Sequence, residues 1–132
     1  HWDGDFEKRI ERHRGDRDER WTLIEEEKNI SKVIEAEKVY MIDCVTLWLT
    51  NFFIDEKYDI DACLIKAKQE IDELAKLNAT IIFITNELGM GVHAETEMGR
   101  KFVDLQGWVN QYLAQKSTKA TLMVSGIPVQ IK

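Results

Sequence analysis

V-Y-M-I-D at residues 39–43 is a compact apolar run that ends in an acid, and T-I-I-F-I-T at 80–85 and A-T-L-M-V-S at 120–125 follow the same plan. Short apolar runs rich in β-branched side chains have the length of strands, and near-continuous apolarity suits strands covered on both faces. Between them lie helical patterns. Val45 to Ile54 follows the first run, and Asp61 to Leu77 carries Leu64, Ala67, Ile71, Leu74 and Ala75 at amphipathic spacing. Met98, Phe102, Leu105, Val109, Tyr112 and Leu113 mark a long helix between the second and third runs. Strands alternating with helices predict a parallel sheet with right-handed crossovers, and so an α/β fold. After Gly126-Ile127-Pro128, the tail Val129 to Lys132 is expected to return as an antiparallel edge strand.

Upstream of the first strand the pattern is less regular. Phe6, Ile10 and His13 share one helical face, which predicts a short helix over about Asp5 to His13, ended by Gly15 and followed by a loop from Arg14 to Arg20. Trp21 to Ile24 reads as a short extended piece, and Asn29 or Ser31 as the cap of a short helix over Lys32 to Ala36. The chain of 132 residues reads as one domain, large enough to bury a core, without repeats or linkers. A net charge of −6 argues against a nucleic-acid or anionic-membrane surface. Cys44 and Cys63 form neither a C-x-x-C pair nor a zinc spacing, so both are expected as buried reduced thiols. No apolar run reaches the roughly 18 residues of a membrane span, and no signal peptide leads the chain, so a cytoplasmic setting is expected.

Two regions carry chemistry. R-I-E-R-H-R-G-D-R-D-E-R-W at residues 9–21 holds five of the six arginines around one of three histidines, on a chain whose other cations are almost all lysine. The guanidinium fork suits phosphate, and neighbouring positive charge favours the neutral imidazole that a nucleophile attacking phosphorus requires. The competing reading is a solvated helix end in which Glu11, Asp16, Asp18 and Glu19 pair with the arginines, with His13 continuing the apolar stripe. On an acidic protein the cluster points to a small anionic ligand.

The second region is set by topology, because parallel sheets bind ligands beyond the carboxyl ends of their strands. That rule selects Asp43, Thr46, Glu87 and the glycines of N-E-L-G-M-G at 86–91. Asp43 either holds Mg²⁺ beside nucleotide phosphates or caps the helix starting near Val45. Trp48, Phe52 and Phe53 read as core or subunit-contact residues, and His93 as an exposed loop residue. A metal-dependent phosphohydrolase using Asp43, Glu87 and His93 is a further reading, without a recognisable ligand spacing. The sequence contains no G-x-x-x-x-G-K-[ST], G-x-S-x-G or H-E-x-x-H motif.

Five stretches in order make the chain resemble a known family: R-I-E-R-H-R-G-D-R-D-E-R-W-T-L-I-E (9–25), M-I-D-C-V-T-L-W-L-T-N (41–51), I-T-N-E-L-G-M-G (84–91), F-V-D-L-Q-G-W-V-N-Q (102–111) and V-S-G-I-P-V-Q-I-K (124–132). It resembles the bifunctional adenosylcobinamide kinase/adenosylcobinamide-phosphate guanylyltransferases of cobalamin biosynthesis. The resemblance implies a P-loop NTPase-like (RecA-like) three-layer α/β fold and a corrinoid substrate, adenosylcobinamide and its phosphate. It implies phosphorylation of that substrate with GTP or ATP and Mg²⁺, then GMP transfer from GTP through a GMP–histidine intermediate. The matching histidine is His13; Arg14, Gly15, Asp16 and Arg17 would line the GTP site, with Glu25 and Asp43 contacting nucleotide. A homo-oligomer, as a trimer, is implied too. The family opens with a strand, a P-loop, a helix and a second strand, roughly 35 residues ahead of the position matching His1. The chain is therefore expected to be an N-terminally truncated fragment, and a noncatalytic binding or assembly module is the alternative function. Ala94 stands where the family often has proline.

Overall fold

The computed structural model describes residues 20–132. The expected helix over Asp5 to His13 and nearly all of the arginine-rich loop lie outside them. β1 (Val39–Asp43) and β2 (Thr80–Ile84) pair in parallel, with Val39 opposite Thr80 and Asp43 opposite Ile84. Ile42, Ile81 and Phe83 face the core, whereas Val39, Met41, Ile82 and Ile84 are exposed. Cover on both faces was the expectation; among the described residues the core packs on one. An apolar run shows that both faces bear hydrophobic side chains, but not which face the helices take.

Three helices supply that core. α1 (Val45–Asp55) buries Val45, Trp48, Leu49, Phe52 and Phe53, the i, i+3, i+4, i+7, i+8 stripe of an amphipathic helix. The aromatic group therefore belongs to this chain's own interior rather than to a subunit contact. Trp48 meets Phe52 edge-on at 5.2 Å between ring centroids, and Phe53 meets Phe102 at 5.4 Å. Positive φ at Lys57 (53°) and Tyr58 (67°) turns the chain back. Asp59 then caps α2 (Ile60–Ala75), its carboxylate accepting the Ala62 N–H at 3.1 Å. α2 buries Cys63, Ala67, Ile71 and Leu74 against Leu105, Val109 and Leu113 of α3 (Glu97–Lys116).

α3 begins at Thr96, whose hydroxyl accepts the Gly99 N–H at 2.9 Å. A Cβ at position 99 would lie 2.9 Å from that same hydroxyl, so the cap requires glycine there. Glu97 in the first turn and Lys116 in the last complement the helix dipole. Across the α2–α3 seam the Tyr112 hydroxyl donates to Asp72; that bond holds the Asp72 carboxyl below its usual range and pushes the Tyr112 phenol up. Burial pushes the Cys63 thiol up to about 11, while Cys44 is half-buried, so only one of the two thiols is as enclosed as expected.

The third apolar run does form a strand, but not in the parallel sheet. β3 (Thr121–Val124) pairs antiparallel with β4 (Ile127–Gln130), Val124 opposite Ile127. Ser125 (φ 53°) and Gly126 (φ 75°) fill a two-residue turn with both central residues left-handed, the geometry that suits a tight hairpin. The antiparallel return is thus as expected, but it begins at Ile127 rather than Val129 and takes in Pro128. The Lys132 ammonium donates to the carbonyls of Ala114 (2.8 Å) and Gln115 (3.3 Å), fastening the hairpin to the end of α3.

Ahead of β1, Trp21 to Ile24 pair with no strand among the described residues. The short helix is a 3-10 turn, Ile30–Val33, two residues earlier than expected; the Asn29 side chain makes no cap bond. Instead the Glu26 carboxylate accepts the N–H groups of Lys28 and Asn29, each at 3.0 Å.

Candidate functional site

α1 begins directly after β1, and the 3-10 turn Leu88–Met90 follows β2 closely, so the chain leaving both strands converges at one end of the sheet. Asp43 ends β1 and is exposed; Cys44, not Asp43, occupies the N-cap position of α1. The capping alternative for Asp43 is thereby set aside. Thr46, in the first turn of α1, accepts a hydrogen bond from Asn86 Nδ2 at 3.1 Å, which joins the two strand ends.

α3 passes beside this end and adds two amides. Asn110 Oδ1 accepts from Thr85 Oγ1 (2.6 Å) and from Gln106 Nε2 (3.0 Å). Asn110 Nδ2 donates to the Asn86 carbonyl (3.0 Å) and to Glu87 Oε1 (3.3 Å). Gln106 Nε2 also donates to Thr85 Oγ1 at 2.9 Å. Gln106 is 0% exposed, and its Oε1 has no hydrogen-bond partner among the described residues. A buried amide with one idle acceptor is costly, and it is retained where the rest of the side chain is needed in one orientation. The outcome is an exposed Glu87 carboxylate fastened at one oxygen beyond the end of β2.

A second, smaller feature lies alongside. Gly91, His93, Arg100 and Asp104 help line a cavity of about 200 Å³, and Arg100 Nη1 donates to the carbonyls of Ala94 (3.2 Å) and Glu95 (3.1 Å). His93 is exposed, as expected. Among the described residues no group of three or more His, Cys, Asp or Glu side chains is placed to hold a metal by itself. Asp43, Glu87 and His93 are therefore not brought together as a phosphohydrolase centre.

Of the residues singled out in the sequence, His13, Arg14, Gly15, Asp16 and Arg17 lie outside the described residues. Glu25 is exposed in the segment leading to the 3-10 turn. That segment is anchored on α1: Trp48 Nε1 donates to the Lys28 carbonyl and Asn51 Nδ2 to the Glu27 carbonyl, both at 2.9 Å, and Lys28 pairs with Asp55. Next to it, Glu26 accepts backbone N–H groups that hold its carboxyl below the usual range. Sequence reasoning missed Gln106 and Asn110. Their signal was two amides at i, i+4 interrupting an apolar helix face.

A parallel strand pair with an acid and a polar network beyond its carboxyl ends defines an α/β protein, with that network at the end where parallel sheets bind ligands. The family model for cobinamide kinase/cobinamide phosphate guanyltransferase matches residues 1–131. The bifunctional adenosylcobalamin biosynthesis protein CobP of Pseudomonas aeruginosa is 33% identical over 135 residues, covering 98% of this chain and 76% of its own length. The corresponding proteins, CobU, of Escherichia coli and Salmonella typhimurium are 34% and 30% identical over 145 residues, each covering 98% of this chain and 80% of the relative. The chain belongs to the cobinamide kinase/cobinamide phosphate guanyltransferase family. No helix among the described residues is long and apolar enough to cross a membrane.

Proposed function

We propose that this protein acts in cobalamin biosynthesis, phosphorylating adenosylcobinamide and transferring GMP from GTP to the resulting phosphate. The observation that carries this reading is the family match over residues 1–131, which includes H-R-G-D-R at 13–17. In this reading neutral His13 attacks the α-phosphorus of GTP and pyrophosphate leaves. Arg14 and Arg17 stabilise charge on the phosphorus oxygens and leaving group, and Gly15, Asp16 and Glu25 complete the nucleotide site. The phosphate of adenosylcobinamide phosphate then displaces His13 and takes the GMP, so one difficult transfer becomes two easier ones. Asp43 contacts nucleotide and Mg²⁺. A single exposed strand-end carboxylate suits that ion, which binds through one or two carboxylates plus substrate phosphates. Bound there, Mg²⁺ would neutralise charge on the phosphates. The RecA-like three-layer sheet and a trimeric assembly belong to the same proposal.

One observation favours a second reading, a binding or assembly module without turnover: these 132 residues contain no G-x-x-x-x-G-K-[ST] motif to cradle a triphosphate. Thermal unfolding with and without GTP and Mg²⁺ separates the two. A native-state ligand at a hundred times its Kd stabilises by about 2.7 kcal/mol, so the transferase reading expects a rise in Tm on the order of 10 °C. An unchanged Tm at millimolar GTP favours the module.

A further inference from the structure

Resting on the kinase half of that reading, we propose that Glu87 is the general base of the kinase step and that Asn110 is the residue that positions it. Glu87 stands three residues beyond Ile84, the β2 residue paired with Asp43 at the end of β1, so both acids emerge at the ligand-binding end of the sheet. The direction of the hydrogen bonds gives the assignment its force. Asn110 uses all four of its hydrogen-bonding positions: two donors, Thr85 Oγ1 and Gln106 Nε2, meet its oxygen, and two acceptors, the Asn86 carbonyl and Glu87 Oε1, meet its nitrogen. Turning the amide over would set oxygen against oxygen and N–H against N–H. Gln106 is locked in the same sense, since both donations from its buried Nε2 run into the network.

That network does more than hold a loop. The 3.0 Å bond from Asn110 to the Asn86 carbonyl already fixes the backbone, and the second bond, at 3.3 Å, reaches the Glu87 carboxylate without burying it. Among the described residues Asn110 engages Oε1 only, on a residue that stays exposed. A carboxylate with one oxygen fixed and one available is suited to accept a hydroxyl proton during phosphoryl transfer. In the step proposed, the cobinamide hydroxyl proton passes to Glu87 Oε2 as its oxygen bonds to the γ-phosphorus. The bond from the γ-phosphorus to the β–γ bridging oxygen breaks, and its electron pair leaves with the nucleoside diphosphate. No other reactant is required.

The test uses the protein with the family's P-loop segment in place ahead of His1, and two assays on each preparation: phosphorylation of cobinamide by nucleoside triphosphate, and GMP transfer to cobinamide phosphate made beforehand. Glu87→Gln is expected to lower kinase kcat by about 10²–10⁴-fold. Its KM for cobinamide stays within about threefold and GMP transfer within about twofold of wild type. Asn110→Asp, which cannot donate to Glu87, is expected to lower kinase kcat about tenfold with the same selectivity. Equal loss of both activities in Glu87→Gln, or kinase kcat above about a tenth of wild type, overturns the assignment. A wild-type protein with neither activity overturns the functional reading itself, whereas an active wild type with an unaffected Glu87→Gln overturns the base alone.

Discussion

His13→Ala abolishes GMP transfer to adenosylcobinamide phosphate, with a loss of about 10⁴-fold or more, because an alanine offers no nucleophile and the remaining groups have nothing to act through. Phosphorylation of adenosylcobinamide by the same variant stays within about twofold of wild type, since the covalent intermediate belongs to the transfer alone. The competing reading of His13 makes the opposite forecast. A histidine that merely continues the Phe6–Ile10 stripe would, when truncated, lower stability and depress both activities together. Parallel assays of the two reactions, with urea unfolding of each protein, decide between them. Paired with Glu87→Gln the result is a double dissociation, each variant silencing one reaction and sparing the other.

Trp48→Ala costs about 3–5 kcal/mol of stability, the range for deleting a buried large aromatic. Trp48 is 4% exposed, packs edge-on against Phe52 and donates its indole N–H to the Lys28 carbonyl. The loss therefore includes a cavity beside α1 and a carbonyl stripped of its donor, and it removes one of the three anchors of the segment that carries Glu25. Leu47→Ala, one position away but 39% exposed, is expected to change stability by less than about 1 kcal/mol. Urea titration of the two variants checks the contrast. Equal effects would mean that the face of α1 assigned to the core is wrong.

The helices were legible because their periodicity is long and strict. Val45 to Ile54, Asp61 to Leu77 and the Met98–Leu113 stripe became α1, α2 and α3 with small shifts at the ends. Strand partners were legible only in part: the first two apolar runs pair in parallel, as expected, and the third does not join them. A-T-L-M-V-S looks like a parallel strand, but a short apolar run says nothing about its neighbour, and Ser125-Gly126 supplied the turn that sent it into a hairpin with β4. Pro128 drew the expected strand start to Val129, although on the edge of a two-stranded hairpin a proline is tolerated. At the site, the strand-end rule picked out Asp43, Thr46 and Glu87 from topology alone. Gln106 and Asn110 escaped it, because their meaning depends on Thr85 and Asn86 lying across from them, about 20 positions earlier in sequence. The roles given to His13, Arg14 and Arg17 came from the family resemblance, since charge and spacing alone favoured a solvated helix end.

The measurement that bears most directly on the account is trapping of the intermediate. Protein carrying the family's P-loop segment is mixed with α-phosphate-labelled GTP and Mg²⁺, denatured, and examined for covalent label beside His13→Ala. The account predicts a label that is lost in acid, survives alkali, and is absent from His13→Ala. A protein that binds GTP yet takes up no label, or one that labels equally without His13, contradicts the covalent histidine mechanism.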